Sequence, residues 1–500
     1  WTTLTAATIG PGTVVLCSRA GSEQKTTLMW CVLVATMLAW VMQEAAARLT
    51  LASSQTLSEC MRELSPQGLM AVFRQILVVV LVAVSLACEA NNLVGAVSAA
   101  ALLATSQESE RVVRLLLGIG LAPSCITLLL CGGDSTQRIG LFLTGLVAMM
   151  LLCFSATIVG VGLPDALASG LIPSIPDNSA PLALSLIGTT AVPLNLLLGS
   201  SIAKGNTRMH EGIALSAALT GTISLLIMLV ASAAPRSPGQ TFQIATIVAP
   251  LEGVMGVGGR VGFALGLAGA AFSSALATPL ATAVALDDLL GWKRTGDLAA
   301  VDGTLDIGEP GFGVGQATSL RTAPSWWHWQ RHGRALFMSS LVVLAMVPTV
   351  LGWSPTGIIL VAAVANGLLL PVVSGCLLIC LNHPALMHGR PQSALSNVLL
   401  LPCVGLALLL ASIVLVQRSV GVTWPLRSAL HVAAPLAFIG ILVLGIATHR
   451  LRTRSGPHSQ RAGRKPSRAA AAWQELGREE TSGMESGKVV AAGDGEGRNS

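Results

Sequence analysis

Apolar positions along this chain gather into runs of about 20 residues, separated by short polar or charged breaks and without a two-residue alternation. The first six runs lie near residues 2–18, 27–46, 69–104, 111–131, 138–161 and 180–203. Six more follow near 212–234, 258–289, 334–353, 356–381, 395–416 and 427–448. At about 1.5 Å of rise per residue, a helix of that length crosses about 30 Å of hydrocarbon. Only a helix or a closed barrel satisfies its own backbone there, and the missing alternation excludes a barrel. The pattern predicts an all-α polytopic membrane protein, with about twelve spans in one transmembrane transporter domain over residues 1–449. The third and eighth runs exceed what one crossing needs and are expected to tilt or to continue beyond the bilayer.

Two stretches depart from this pattern. Residues 293–333 are rich in Gly, Asp and Thr, with Trp326, Trp327 and Trp329 near their end. They read as a long cytoplasmic loop that meets the membrane surface. Residues 450–500 turn to Arg, Gly, Ser and Glu, with too little apolar surface to offset the entropy of ordering. They are predicted to form a disordered cytoplasmic tail, solvated or touching anionic lipid.

Composition agrees and narrows the function. The 500 residues are 52% hydrophobic and only 11% charged, against about 25% charged in soluble proteins. A soluble enzyme, a collagenous chain and a disulfide scaffold are excluded. Net charge is +6, but ten of the 30 Lys and Arg follow His449. The basic character is the tail's, so nucleic acid is not an expected partner and the lipid bilayer is. Outside the tail, twelve basic residues fall on the side of the N-terminus and eight on the other. The positive-inside rule then puts both termini in the cytoplasm, with the cell membrane as the expected location. All ten Cys except Cys60 lie within apolar runs and form no CxxC pair, so they read as small hydrophobes. The chain opens on Trp1 without a signal peptide, and a natural N-terminal segment is expected before it. No nucleophile and base pair, HExxH or P-loop appears. Neither an enzyme nor a permanently bound cofactor is expected.

The candidate chemistry lies where the helices are interrupted. Span 1 contains Gly10-Pro11-Gly12-Thr13, and a proline between glycines removes a donor while permitting unwinding. Span 6 contains Thr189-Thr190-Ala191-Val192-Pro193-Leu194-Asn195, again a proline among polar residues. Such breaks, five spans apart, point to inverted repeats around a midplane binding site. The plainer reading is a pair of proline kinks, which are common in membrane helices. Glu89, in Cys88-Glu-Ala-Asn-Asn-Leu-Val-Gly95, is the carboxylate set deep within a span. Such a group is a functional candidate by default. Its structural alternative is a protonated Glu hydrogen-bonded to Asn91 or Asn92 as helix-packing glue.

Several of these stretches carry a resemblance. Ile9-Gly-Pro-Gly-Thr-Val14, Leu28-Met-Trp30 and Gln43-Glu-Ala-Ala-Ala-Arg-Leu49 resemble the opening of the Nramp family of proton-coupled divalent metal transporters. Ile187-Gly-Thr-Thr-Ala-Val-Pro-Leu-Asn195 is similar to that family's sixth helix, and Ala365-Asn-Gly-Leu-Leu-Leu-Pro371 to its tenth. The likeness extends over roughly residues 8–415. It implies a LeuT-like fold, with two inverted five-helix repeats and one or two extra helices.

The departures bear on the cargo. The family's helix 1 carries Asp-Pro-Gly-Asn, whose Asp and Asn bind metal; here Gly10 and Thr13 stand in those places. In helix 6 the family's metal-binding Met is Val192, its backbone ligand falls at Thr189, and the His after the proline is Leu194. Glu89 and Asn92 fall on the two acids of the family's proton path. Oxygen donors suit hard cations and a thioether suits softer ones. The resemblance therefore implies a divergent secondary transporter of divalent metal cations, magnesium or manganese among them. The metal would meet oxygens of Thr13 and Asn195 and the backbone carbonyls of Gly10 and Thr189. Pro11, Gly12 and Pro193 would make the helix breaks, Val192 would set selectivity, and Glu89 and Asn92 would serve proton coupling. Two rivals stay open: a LeuT-like symporter of a small organic solute, and a non-transporting membrane sensor or scaffold with a degenerate site.

Overall fold

The computed structural model describes residues 9–64, 69–104, 120–130, 134–164, 166–176, 179–204, 209–235, 242–291, 325–388, 392–419 and 426–453. Most of the expected loop, the whole tail after residue 453 and the first half of span 1 lie outside the described residues. Within them the chain is helical and has no strand. The helices are α1 (Pro11–Gln24), α2 (Met29–Ser53), α3 (Leu57–Glu63), α4 (Leu69–Ala101), α5 (Gly120–Leu130) and α6 (Asp134–Val161). They continue as α7 (Ala180–Thr190), α8 (Pro193–Ile202), α9 (Met209–Ser232), α10 (Val248–Met255) and α11 (Val257–Leu290). The last four are α12 (Ser325–Val350), α13 (Pro355–Asn382), α14 (Ala394–Ser419) and α15 (Leu426–Thr453). Among the described residues nine helical stretches are long and apolar enough to cross a membrane, and the chain is an integral membrane protein.

The bundle is built around α1. Its residues Pro11 to Ser18 are all buried, in a short helix with no face left for lipid. α1 lies against α9, α13 and α7, while α4 packs along α11 and α13, and α2 along α7, α8 and α9. At the periphery the polarity is reversed. α15 exposes Leu436, Phe438, Ile439, Leu442 and Val443, a surface suited to a hydrocarbon solvent.

Among the described residues the apolar runs and the helices agree closely, except that residues 325–333, expected to end the loop, are the helical start of α12; the other differences have local causes. The run over 180–203 is two helices, because Pro193 has no N–H to continue the ladder. α3, seven residues long, was not legible as an apolar run. A capping box makes it: Thr56 Oγ1 accepts from Glu59 N at 3.1 Å and Glu59 Oε2 accepts from Thr56 N at 2.7 Å. α11 ends at Gly291, which takes φ +74°, a left-handed cap that glycine adopts without steric cost. The long third run is one 33-residue helix, α4.

Candidate functional site

The second sequence interruption is a break between two helices, the first is the start of a helix with residues 1–8 outside the described residues, and the two meet. Gly10 is extended (φ −89°, ψ 171°) and α1 begins at Pro11. There the missing N–H costs nothing, because the first turn of a helix has no partner for it. Ala191 (φ −94°, ψ 67°) and Val192 (φ −73°, ψ 122°) separate α7 from α8, which again begins on a proline. An unbroken helix would bond the N–H of residue 193 to the carbonyl of Thr189. Pro193 cannot donate, so that carbonyl is freed, and Thr13 Oγ1 donates to it at 3.3 Å. The two threonine hydroxyls also stand 3.3 Å apart. Thr13 is fully buried and Thr189 is 8% exposed.

Glycines seat both breaks. A Cβ on Gly95 of α4 would fall 2.2 Å from Pro11 Cβ, so Pro11 rests directly on the α4 backbone. A Cβ on Gly188 would fall 2.3 Å from the Ala363 carbonyl oxygen of α13. Where Gly10 lacks a side chain, the space beside its Cα is taken by Ser274 Oγ and Asn92 Oδ1, 3.2 and 3.8 Å from the position of a Cβ.

Beyond Gly10 runs a polar seam between α4 and α11. Asn92 Nδ2 donates to Thr278 Oγ1 at 3.0 Å and approaches Glu89 Oε2 at 3.5 Å, while Thr282 Oγ1 donates to Ser85 Oγ at 2.8 Å. Glu89 is wholly buried and its Oε1 has no partner among the described residues. On α13, Asn366 Nδ2 donates to Cys88 Sγ at 3.1 Å and its Oδ1 is likewise buried without a partner.

The structure brings Thr13, Thr189, Gly10, Pro11, Gly12, Glu89 and Asn92 into one connected region. Asn195 is buried in the first turn of α8, and no side-chain hydrogen bond of its amide ties it to that region among the described residues. Val192 caps α8 and is half-buried. Sequence reasoning overlooked Ser274, Thr278 and Thr282. Their signal was a four-residue spacing in an Ala- and Gly-rich run, which puts three hydroxyls on one helix face. Asn91, whose amide lies against Gly12, and Asn366 were also missed as members of the site. No group of three or more His, Cys, Asp or Glu side chains positioned to hold a metal occurs among the described residues. What the breaks offer is hydroxyl, amide and carbonyl oxygen.

Known proteins share this plan. The family model for natural resistance-associated macrophage protein-like (Nramp) chains matches residues 2–417. A relative named metal transporter Nramp1, from Populus trichocarpa, is 30% identical over 203 residues, which are 39% of this chain and 35% of that one. The divalent metal cation transporter MntH of Acidiphilium cryptum is 25% identical over 307 residues, 57% of this chain and 68% of that protein. In fold, the chain is similar to the solved structure of the Eremococcus coleocola manganese transporter, with a TM-score of 0.58 at 16% identity, covering 91% of this chain and 94% of that one. The expected all-α, LeuT-like class is thus met, and the chain belongs to the Nramp-like family.

Proposed function

We propose that this chain is a secondary transporter that carries divalent metal cations across the membrane by alternating access, with the two helix interruptions as its cargo site. The observation that carries this reading is the freed Thr189 carbonyl facing Thr13 across the two breaks. In a low-dielectric interior a cation must replace its water with other oxygens, and half-helix ends supply them. A cation entering here takes the Thr189 carbonyl from Thr13 and draws on the Thr13 hydroxyl, the Gly10 carbonyl and the Asn195 amide.

No carboxylate stands at the breaks themselves, since residues 9–14 and 187–195 contain no charged side chain. Desolvating a divalent ion costs several kcal/mol even after relaxation, so neutral oxygens hold it weakly. Low affinity and a preference for hard ions such as magnesium or manganese follow. Glu89 is the nearby buried carboxylate, linked through Asn92 to the space beside Gly10. It is the proposed proton-coupling group, with Asn92 as its neighbour on that path. The cell membrane is the proposed location. Import completes the reading, with both termini placed in the cytoplasm by the charge bias of the loops.

The neutral lining also favours a second reading, a symporter of a small organic solute. Uptake into proteoliposomes of a divalent cation panel and of solutes, with and without a proton gradient, decides between them. Saturable cation uptake supports the first reading. Solute uptake alone supports the second, and no uptake points to a sensor or scaffold.

A further inference from the structure

A second polar locus lies where α2, α9 and the end of α7 meet. Here a small cavity is lined by Thr36, Gln43, Thr190, Ser216 and Thr220 together with two alanines, and it offers about 10 Å³ to the centre of a water molecule. That is the room one buried water needs. Thr190 is one residue from the carbonyl that Thr13 takes, so the cavity adjoins the second interruption.

Its polar groups are poorly served by the protein. Thr220 is 2% exposed and its hydroxyl has no partner among the described residues. Gln43 is 7% exposed, and no hydrogen bond among the described residues reaches its amide. At the depth of a membrane helix such groups must be satisfied internally. Thr36 Oγ1 donates to the Val32 carbonyl at 2.8 Å and Thr190 Oγ1 to the Leu186 carbonyl at 3.0 Å. Their hydrogens are spent, and only lone pairs remain for a guest. The Thr220 hydroxyl and the Gln43 amide still have hydrogens to give.

We propose that this cavity is a hydration site for one water molecule that bridges α2, α9 and the end of α7. Water fits because it donates to Thr36 and Thr190 while accepting from Thr220 and Gln43. A bare cation can do only half of this, and no ionised side chain lines the cavity to balance its charge. Beside a broken helix such a water lets α7 change direction without leaving these groups unpaired.

Two substitutions of one residue test the site through the apparent thermal midpoint of the purified full chain. In an empty cavity, T220V removes an orphaned hydroxyl and adds a methyl, whereas T220S merely loses a methyl. T220V would then be the more stable of the two. With a bound water the order reverses, because valine deprives the water of a partner that serine keeps. The expected result is a T220V midpoint roughly 2 °C below that of T220S; a midpoint at or above it overturns the proposal. If neither variant folds, Gln43→Met serves instead, with a lowered midpoint expected and an equal or higher one contradicting the site. Exchanging choline for sodium or potassium at fixed ionic strength should leave the wild-type midpoint unchanged. A rise that T220V abolishes would identify a monovalent cation in place of water.

Discussion

The two helix interruptions contain no charged side chain, and beside them Glu89 Oε1 and Asn366 Oδ1 are buried without partners among the described residues; at the end of the bundle that carries α3, polar groups are charged and paired. There Thr56 Oγ1 donates to Asp288 Oδ2 at 2.8 Å, Arg62 Nη1 to the Asp288 carbonyl at 2.8 Å, and Arg334 pairs with Asp287. Ser200 Oγ of α8 accepts from Leu57 N at 2.6 Å and sits 2.8 Å from Thr50 Oγ1. Lys204 reaches Glu59 at 3.7 Å. The short capped helix α3 is thereby fastened to α2, α8 and α11, and Arg334 fastens α12 beside it. The difference teaches where rigidity and freedom lie. Charge pairing fixes one end, while the middle keeps oxygens that can exchange one partner for another, as the proposed carrier function requires.

The comparison breaks most sharply if the fastened end is undone. Asp287 is buried, and removing it leaves the Arg334 guanidinium, itself only part-exposed, without this carboxylate. Breaking such a pair from one side costs about 3 kcal/mol when it is buried. Asp287→Ala should therefore lower the yield of monodisperse protein in detergent and its thermal midpoint. A midpoint equal to wild type would show that this end does not hold the bundle.

In the middle the expected effect is on transport and not on folding. Glu89→Gln keeps the shape of the side chain and its contact with Asn92 but removes the titratable group. Proton-linked uptake should fall while the thermal midpoint stays put. Unchanged uptake with an unchanged pH profile would remove Glu89 from the mechanism.

A smaller effect concerns Cys60 in α3, fully buried at the fastened end. Burial pushes its thiol up from 9.0 to about 12. The folded state then binds the proton more tightly than the unfolded one. The stability this contributes is present below pH 9 and is lost as pH climbs toward 12. At neutral pH Cys60 should label slowly with a maleimide, and faster in Asp287→Ala, as site-resolved mass spectrometry can show. Rapid labelling of the wild type would mean that this end is already open.

How much of this was legible follows from physical range. The described helices, the start of α1 at Pro11 and the break at Pro193 were readable because hydrophobic runs and Pro-Gly chemistry are local properties of the chain. Glu89 stood out because a carboxylate in an apolar run is conspicuous. The partners were not readable. Ser274 approaches Gly10, and Thr278 approaches Asn92, from distant parts of the sequence, and hydroxyls are ordinary in membrane helices. The bond from Thr13 to Thr189 depends on how α1 crosses the end of α7, which periodicity does not encode. α3 escaped notice because its capping box and long-range partners, and not an apolar run, hold it.

The central claim is that neutral oxygens at the two interruptions hold a divalent cation, with Val192 standing where a softer ligand would sit. Competition uptake of magnesium, manganese and cadmium by wild type and Val192→Met in proteoliposomes tests it most directly. The wild type should carry magnesium or manganese at least as readily as cadmium and with low affinity, and the methionine should shift preference toward cadmium, because sulfur favours softer ions. A wild type already strongly selective for cadmium, or a variant with unchanged preference, would contradict the account.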